Sequence, residues 1–320
     1  MAQTVLVTGG CGLIGQYVCS GLIKKGYEVI AVDKEEGFYN MGKLHYTYIP
    51  WTPDDKEGFE KIFAEYEINV LIHAACTVDN DLSPIVTETE MDISRKCDDY
   101  IYKCAMSAES IKQVISISTE KVYAFPKSRE PIREDADIKT TSNYAVMKYE
   151  SEKALVSEMR NHKNVICCIA RVAPIYSKEF TDNLMSKITD PKDKTKFVLG
   201  TGQYGFQMCC VHNIVDFILC FVKVAEDTTF AGNYNVADKT LTTAADIISF
   251  MRTHYSLGTV IQKSAGNNPI SRIKKIFKPD KEYKTNYRYL DMAKLENNNM
   301  LDTTKASKIV TFRWDINNTK

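Results

Sequence analysis

Eight residues near the start of the chain, Thr8-Gly9-Gly10-Cys11-Gly12-Leu13-Ile14-Gly15, constrain its fold more than any other feature. They follow the apolar run Thr4–Val7 and open an amphipathic stretch from Gly15 to Lys25. Glycines at this spacing let a buried strand turn tightly into a helix: Gly9 for the turn, Gly12 for close approach to the backbone, Gly15 for close helix–strand packing. The same alternation then recurs. Val29–Val32, Tyr46–Ile49, Val70–Ala74, Val114–Ser118 and Val165–Ala170 read as strands, with helical patterns over Asp55–Tyr66, Ile93–Ala108 and Tyr144–Arg160. Continuous apolar strands alternating with helices predict a parallel sheet covered on both faces.

An acid completes the turn. Asp33 closes the second strand 18 residues beyond Gly15, where a carboxylate can accept both ribose hydroxyls of an adenosine. With the helix N-terminus facing a pyrophosphate, this predicts a dinucleotide site. The carboxylate would repel a 2′-phosphate, so NAD is expected over NADP, although the adjacent Lys34 softens the preference.

A second constellation lies downstream. Thr119 stands at the carboxyl end of the fifth strand, the edge at which open α/β sheets bind ligands. Tyr144 follows 25 residues later at the start of a helix for which Ser142 is the expected N-cap. Lys148, four residues on, shares a helix face with it. A free phenol has a pKa of about 10, and a neighbouring ammonium favours its ionised form. A hydroxyl, a phenol and an ammonium can together move a proton beside a nicotinamide, so an alcohol or ketone carbon is the expected target.

Composition excludes several other classes. The 320 residues are 44% apolar and 26% charged, and Lys+Arg balances Asp+Glu at 41 each, so no net field favours nucleic acid or a membrane. No basic-plus-apolar leader precedes the first strand. The longest apolar stretch, Ile214–Val222, contains Asp216 and is far short of the ~20 residues needed to span a bilayer. The 10 cysteines form no Cys-x-x-Cys and read as buried free thiols, with no metal expected. A cytoplasmic location follows from this reading.

The chain resembles the extended short-chain dehydrogenase/reductases of the NAD-dependent epimerase/dehydratase family, whose members are typically nucleotide-sugar enzymes, and within it looks like the nucleotide-sugar epimerases. The resemblance rests on Thr8–Gly15, His73-Ala74-Ala75, Ile117–Ala124, Pro131–Asp135, Tyr144–Lys148 with Glu152, Arg171–Tyr176, and Leu301–Ala306 followed by Trp314. It implies a Rossmann-type doubly wound α/β fold with a smaller, discontinuous α/β substrate domain. The expected division is 1–173 plus about 212–239 for NAD, and about 174–211 plus 240–320 for substrate.

The resemblance gives catalytic roles to Thr119, Tyr144 and Lys148. It gives cofactor contacts to Gly9, Gly12, Leu13, Ile14, Gly15, Asp33, Lys34, His73, Ala74, Ala75, Ser118, Tyr144, Lys148, Pro174 and Ile175. Substrate contacts are expected from Thr77, Thr119, Tyr144, Gln207 and Arg272. It further implies a small-molecule substrate of the nucleotide-sugar class, and a homodimer formed through the helices near 93–108 and 144–160.

Three departures stand out against the family pattern. Thr52-Pro53 replaces an acid-plus-aliphatic pair that holds adenine. Pro174 stands where relatives commonly have asparagine. The loop Gly200-Thr201-Gly202-Gln203 leads to Gln207-Met208 where an arginine usually meets a substrate phosphate; Arg272, Lys274 and Lys275 are a substitute cluster or a solvated patch. Glu120 and Lys121, beside Thr119, could serve as acid and base of a 4,6-dehydratase or be ordinary rim residues. The Thr119–Tyr144 spacing is similar to sugar epimerases, which are ranked first. Dehydratase and NAD-dependent sugar or alcohol dehydrogenase follow, and a non-catalytic NAD-binding regulator comes last.

Overall fold

The computed structural model describes residues 3–37, 44–77, 86–124, 130–190, 193–224, 228–263 and 300–320. Its first half alternates β1 (Thr4–Thr8), α1 (Leu13–Lys24), β2 (Glu28–Asp33), β3 (Tyr46–Pro50), α2 (Lys56–Glu65), β4 (Val70–His73), α3 (Glu88–Ser107), β5 (Gln113–Thr119), α4 (Asn143–Met159) and β6 (Ile166–Val172). There follow β7 (Ile175–Tyr176), α5 (Asp182–Met185), β8 (Lys196–Leu199), β9 (Gly205–Phe206), β10 (Cys209–Cys210), α6 (Val211–Lys223), β11 (Gly232–Val236), β12 (Thr242–Thr243), α7 (Ala244–His254) and β13 (Val260–Lys263).

Seven strands form one parallel sheet in the order β11-β6-β5-β4-β1-β2-β3. The chain starts in the middle, winds outward through β2 and β3, then returns past β1. The reversal at β1 opens a crevice at the carboxyl edge, where this topology places ligands.

The period-2 alternation of strand side chains feeds two cores. Val5 and Val7 of β1 join Val18 and Leu22 of α1 and Ile214, Phe217 and Phe221 of α6 on one face. Leu6 turns to the other face, with Phe59 and Ile62 of α2, Ile101 and Tyr102 of α3, and Leu155 of α4. Burial on both faces explains why these strands are apolar throughout.

A third cluster joins Tyr176, Leu184 and Ile188 to Met208, Cys210, Ile247, Met251 and Ile316. It is framed by three short pairings, β7–β10, β9–β12 and β8–β13. Residues 301–312 do not belong to it: Leu301, Ala306, Val310 and Phe312 pack into the first core of the large sheet. A main-chain bridge between Ile132 and Leu301 anchors them there.

The expected strands and helices appear within a few residues of their predicted ends. The largest shift is α3, which begins at Glu88 rather than near Ile93. A capping box explains it: Thr87 accepts from the Glu90 N–H while the Glu90 carboxylate accepts from the Thr87 N–H. Its polar first turn carried no apolar periodicity. The expected loop at 267–284 and the asparagine run at 297–299 lie outside the described residues. All ten cysteines are free, six of them buried.

Candidate active site

The glycine turn has the geometry its spacing demands. Gly9 has φ +66°, and a Cβ there would lie 2.7 Å from the Ala75 nitrogen. A Cβ at Gly15 would stand 2.0 Å from the Gly9 carbonyl oxygen, so α1 could not pack against the turn. Gly12 caps α1 without a side chain, leaving the first-turn amides to whatever occupies the crevice. Beside them Asp33 is already oriented, accepting from the Cys11 N–H at 3.0 Å and the Lys34 N–H at 2.8 Å. A cradle that only glycine permits, ending at an aimed carboxylate, suits a dinucleotide.

The crevice is a cleft of about 450 Å³ that runs from this cradle to the end of β5. Gly9, Gly12, Leu13, Ile14, Gly15, Asp33, Lys34, Ala74, Ala75, Ser118, Pro174 and Ile175 line it, and so do Thr119, Lys121, Tyr144 and Lys148. Residues more than a hundred positions apart in the chain thus share one wall.

Local chemistry sets each of the central groups. Ser142 caps α4, its hydroxyl accepting from the Ala145 N–H at 3.1 Å, which starts the helix one residue before Tyr144. Lys148 is buried, 8% exposed, and its ammonium donates to the Ile117 carbonyl at 3.1 Å. That bond holds the charge beside β5 on the helix face Tyr144 shares. Thr119 caps the 3₁₀ turn that follows β5, its hydroxyl accepting from the Lys121 N–H at 3.3 Å.

Beneath the cleft floor Ser118 donates to Glu152, and the Glu152 carboxylate accepts from Arg171 at 2.6 and 3.0 Å. The guanidinium lies over the Tyr123 ring at 4.8 Å. Burial works against the charge on Arg171, but the bonded carboxylate of Glu152 more than reverses this and holds its pKa above the usual range.

Other expected residues are placed differently. His73 is buried beneath the cleft and does not line it: Nδ1 shares a 2.7 Å bond with the Thr8 hydroxyl and Nε2 donates to Asp98 at 2.8 Å. It ties β1, β4 and α3 together below the cradle. Gln207 is also away from the lining, its amide donating to the Asp238 carbonyl and accepting from the Leu301 N–H. Thr77 donates to the Glu90 carbonyl and lies outside the lining. Glu120 is 2% exposed and does not line the cleft, whereas Lys121 does, with 3.8 Å between their charged atoms. Arg272, Lys274 and Lys275 lie outside the described residues.

Pro53, noted in the sequence as a departure at the adenine-holding position, lines the cleft. Sequence reasoning missed its neighbour Trp51, and Phe180, Asp182, Asn183 and Lys187 around α5. Trp51 follows a strand at the carboxyl edge, so the rule that singled out Thr119 could have found it. The second group surrounds a helix of only four residues, too short to leave a periodic signal.

Comparison with known proteins gives the family and the fold. The family model of the NAD dependent epimerase/dehydratase family matches residues 5–237. The chain belongs to this family. A UDP-glucose 4-epimerase of Bacillus subtilis is 27% identical over 165 residues, 48% of this chain and 47% of that one. The chain spans about half the length of the curated relatives it matches. Among solved structures, UDP-glucuronic acid 4-epimerase from Bacillus cereus in complex with NAD superposes with a TM-score of 0.70 at 16% identity, covering 98% of this chain and 95% of that one. A dTDP-glucose 4,6-dehydratase from Streptomyces venezuelae gives the same TM-score of 0.70 at 17% identity, over 98% and 92%. These likenesses bear on the fold, and the doubly wound Rossmann-type sheet is shared. Among the described residues no helix is long and apolar enough to cross a membrane, and no group of three or more His, Cys, Asp or Glu is placed to hold a metal ion.

Proposed function

We propose that this protein is an NAD-dependent epimerase of a nucleotide sugar. The observation that carries the proposal is the convergence of Thr119, Tyr144 and Lys148 on the cleft that begins at the glycine cradle. The first-turn amides of α1 would hold the pyrophosphate, and Asp33 the adenosine ribose. When bound, NAD supplies a reversible two-electron acceptor at the sugar carbon.

The chain's own residues handle the proton. Thr119 offers its hydroxyl to orient the sugar hydroxyl, and Tyr144 as phenolate takes that proton and later returns it. Lys148, its ammonium fixed on the Ile117 carbonyl, favours the ionised phenol. Inversion then needs only room for the keto sugar to present its other face. A 4,6-elimination needs an acid and a base as well, and Glu120, buried outside the lining, favours the simpler reaction. The same reading carries a homodimer through α3 and α4, where Ile93 and Val156 are exposed; a monomer in light scattering would remove that part.

The test is product analysis by NMR with UDP- and dTDP-sugars. An inverted sugar without net reduction of NAD supports the epimerase. A 4-keto-6-deoxy product would replace it with the dehydratase, and stoichiometric NADH with the dehydrogenase. Tyr144→Phe should abolish turnover and leave NAD binding intact; unchanged turnover sinks the catalytic assignment.

A further inference from the structure

Two segments far apart in the chain line the cleft: Leu13 and Ile14 in the first turn of α1, and Phe180 with Asp182 and Asn183 of α5. Just outside the lining these segments are fastened to each other. Tyr17 stands four positions after Leu13 and three after Ile14, so it shares their helix face one turn farther from the glycine cradle. Its hydroxyl donates to the Glu179 carboxylate, 162 positions along the chain.

Both partners are held by their own surroundings. The Tyr17 ring meets His212 of α6 edge to face, with 5.4 Å between ring centres, and His212 in turn packs on Trp314 at 5.2 Å. On the other side, the buried Ser177 hydroxyl accepts from the N–H groups of Glu179 and Phe180 at 3.1 and 3.0 Å. The Ser177 N–H donates to the Phe180 carbonyl at 3.0 Å and closes the turn. Asn183 adds a bond from its amide to the Ile175 carbonyl at 2.8 Å. Phe180 is therefore locked to the residue that Tyr17 holds, and displacing Glu179 displaces a wall of the cleft.

We infer that the Tyr17–Glu179 contact is a strap that holds the Phe180 wall to the cofactor helix, and that its opening gates the release of NAD. A dinucleotide seated on the first-turn amides of α1 lies one helical turn from this strap. The inference rests on the NAD dependence of the family and on the cradle, and is independent of which sugar the protein acts on. Glu179 is exposed, so water competes for its carboxylate and the bond opens readily. That suits a gate, which must part in every exchange of cofactor.

Stopped-flow displacement tests it, by following the fluorescence of NADH as the NADH-loaded protein meets excess NAD. Tyr17→Phe keeps the ring against His212 and removes only the donor, and Glu179→Ala removes the acceptor. Each should raise the NADH release rate about 3- to 10-fold, the range of one hydrogen bond between partly exposed groups. The double variant should release no faster than either single one, because the second change removes nothing further. Melting temperatures should stay at the wild-type value in all three.

An unchanged release rate in either single variant overturns the strap. So does a double variant whose increase is the product of the two single increases, which marks two independent effects. Faster release that tracks a fall in melting temperature also overturns it, since the pair would then support the fold and not the gate. A wild type that binds no NADH overturns the cofactor assignment itself.

Discussion

Removal of the Glu152 carboxylate should be among the most damaging single changes outside the cleft lining. Glu152 and Arg171 are 2% and 4% exposed, and three of their nitrogen–oxygen contacts fall between 2.6 and 3.2 Å. Arg171 also donates to the Glu134 carbonyl, and Ser118 donates to Glu152. Glu152→Gln keeps the volume but places an amide N–H₂ among donors and leaves a buried guanidinium without its counter-charge. Breaking such a pair costs about 3–5 kcal/mol. With an unfolding entropy of about 2.1 cal/mol/K per residue over 320 residues, that corresponds to a Tm lower by about 4–8 °C.

Differential scanning calorimetry at neutral pH measures this directly. The double variant Glu152→Leu/Arg171→Met removes both charges and should recover most of the loss, because the large cost lies in stranding one ion. A Glu152→Gln melt within about 1 °C of wild type would refute the reasoning, as would a double variant no better than the sum of its parts.

Gly15→Ala should reduce NAD affinity more than tenfold in a fluorescence titration, since its Cβ would meet backbone atoms of Gly9 and Gly10 that cannot yield. Unchanged affinity would mean that the cofactor does not use this turn. Asp33→Asn should weaken NAD and move the NAD:NADP preference toward NADP by about tenfold or more, as read from the two dissociation constants; an unmoved ratio would free Asp33 of that role. Asp238, 1% exposed, is pushed up to about 7 by burial, against the pull of its bonds from Cys210, Tyr176 and Asn213. Its folded pKa lies above the unfolded value near ~4, so the folded state holds the proton longer and stability falls as pH rises from about 4 through about 7. Melts at pH 5 and pH 8 should show Asp238→Asn losing that component of the slope, and identical slopes would exclude it.

The sheet was legible because burial on both faces demands continuous apolar strands, and Val5-Leu6-Val7 or Val70-Leu71-Ile72 can hardly be anything else. That Thr119 and the glycine turn would share a cleft was legible for a topological reason: in a parallel sheet every strand ends at the same edge. What stayed hidden depends on partners far along the chain. Gln207 looked available, yet its amide is committed to Asp238 and to Leu301, 31 and 94 positions away. His73 directly precedes the lining alanines, but its β4 position pairs with Thr8 and turns the ring inward to Asp98. No local pattern distinguishes an inward from a rim-facing residue at the last position of a strand.

The pair Glu120–Lys121 shows how a local turn can bear on an overall reaction. As sequence, two adjacent charged residues beside Thr119 suit an acid and a base equally well. In the fold they occupy a 3₁₀ turn, Glu120–Val122, started by the Thr119 hydroxyl. Such a turn has about three residues per revolution, so adjacent side chains leave the backbone about 120° apart, although the charged ends of Glu120 and Lys121 come back to within 3.8 Å of each other. Lys121 can therefore line the cleft while Glu120 is driven inward and buried. An elimination would require both at the sugar at once, and of the two only Lys121 lines the cleft. Proton exchange at a single hydroxyl requires neither, and Thr119, Tyr144 and Lys148 suffice for it. On the epimerase reading proposed above, a dehydratase built on this frame would have to bring the buried Glu120 to the sugar or supply its acid from elsewhere.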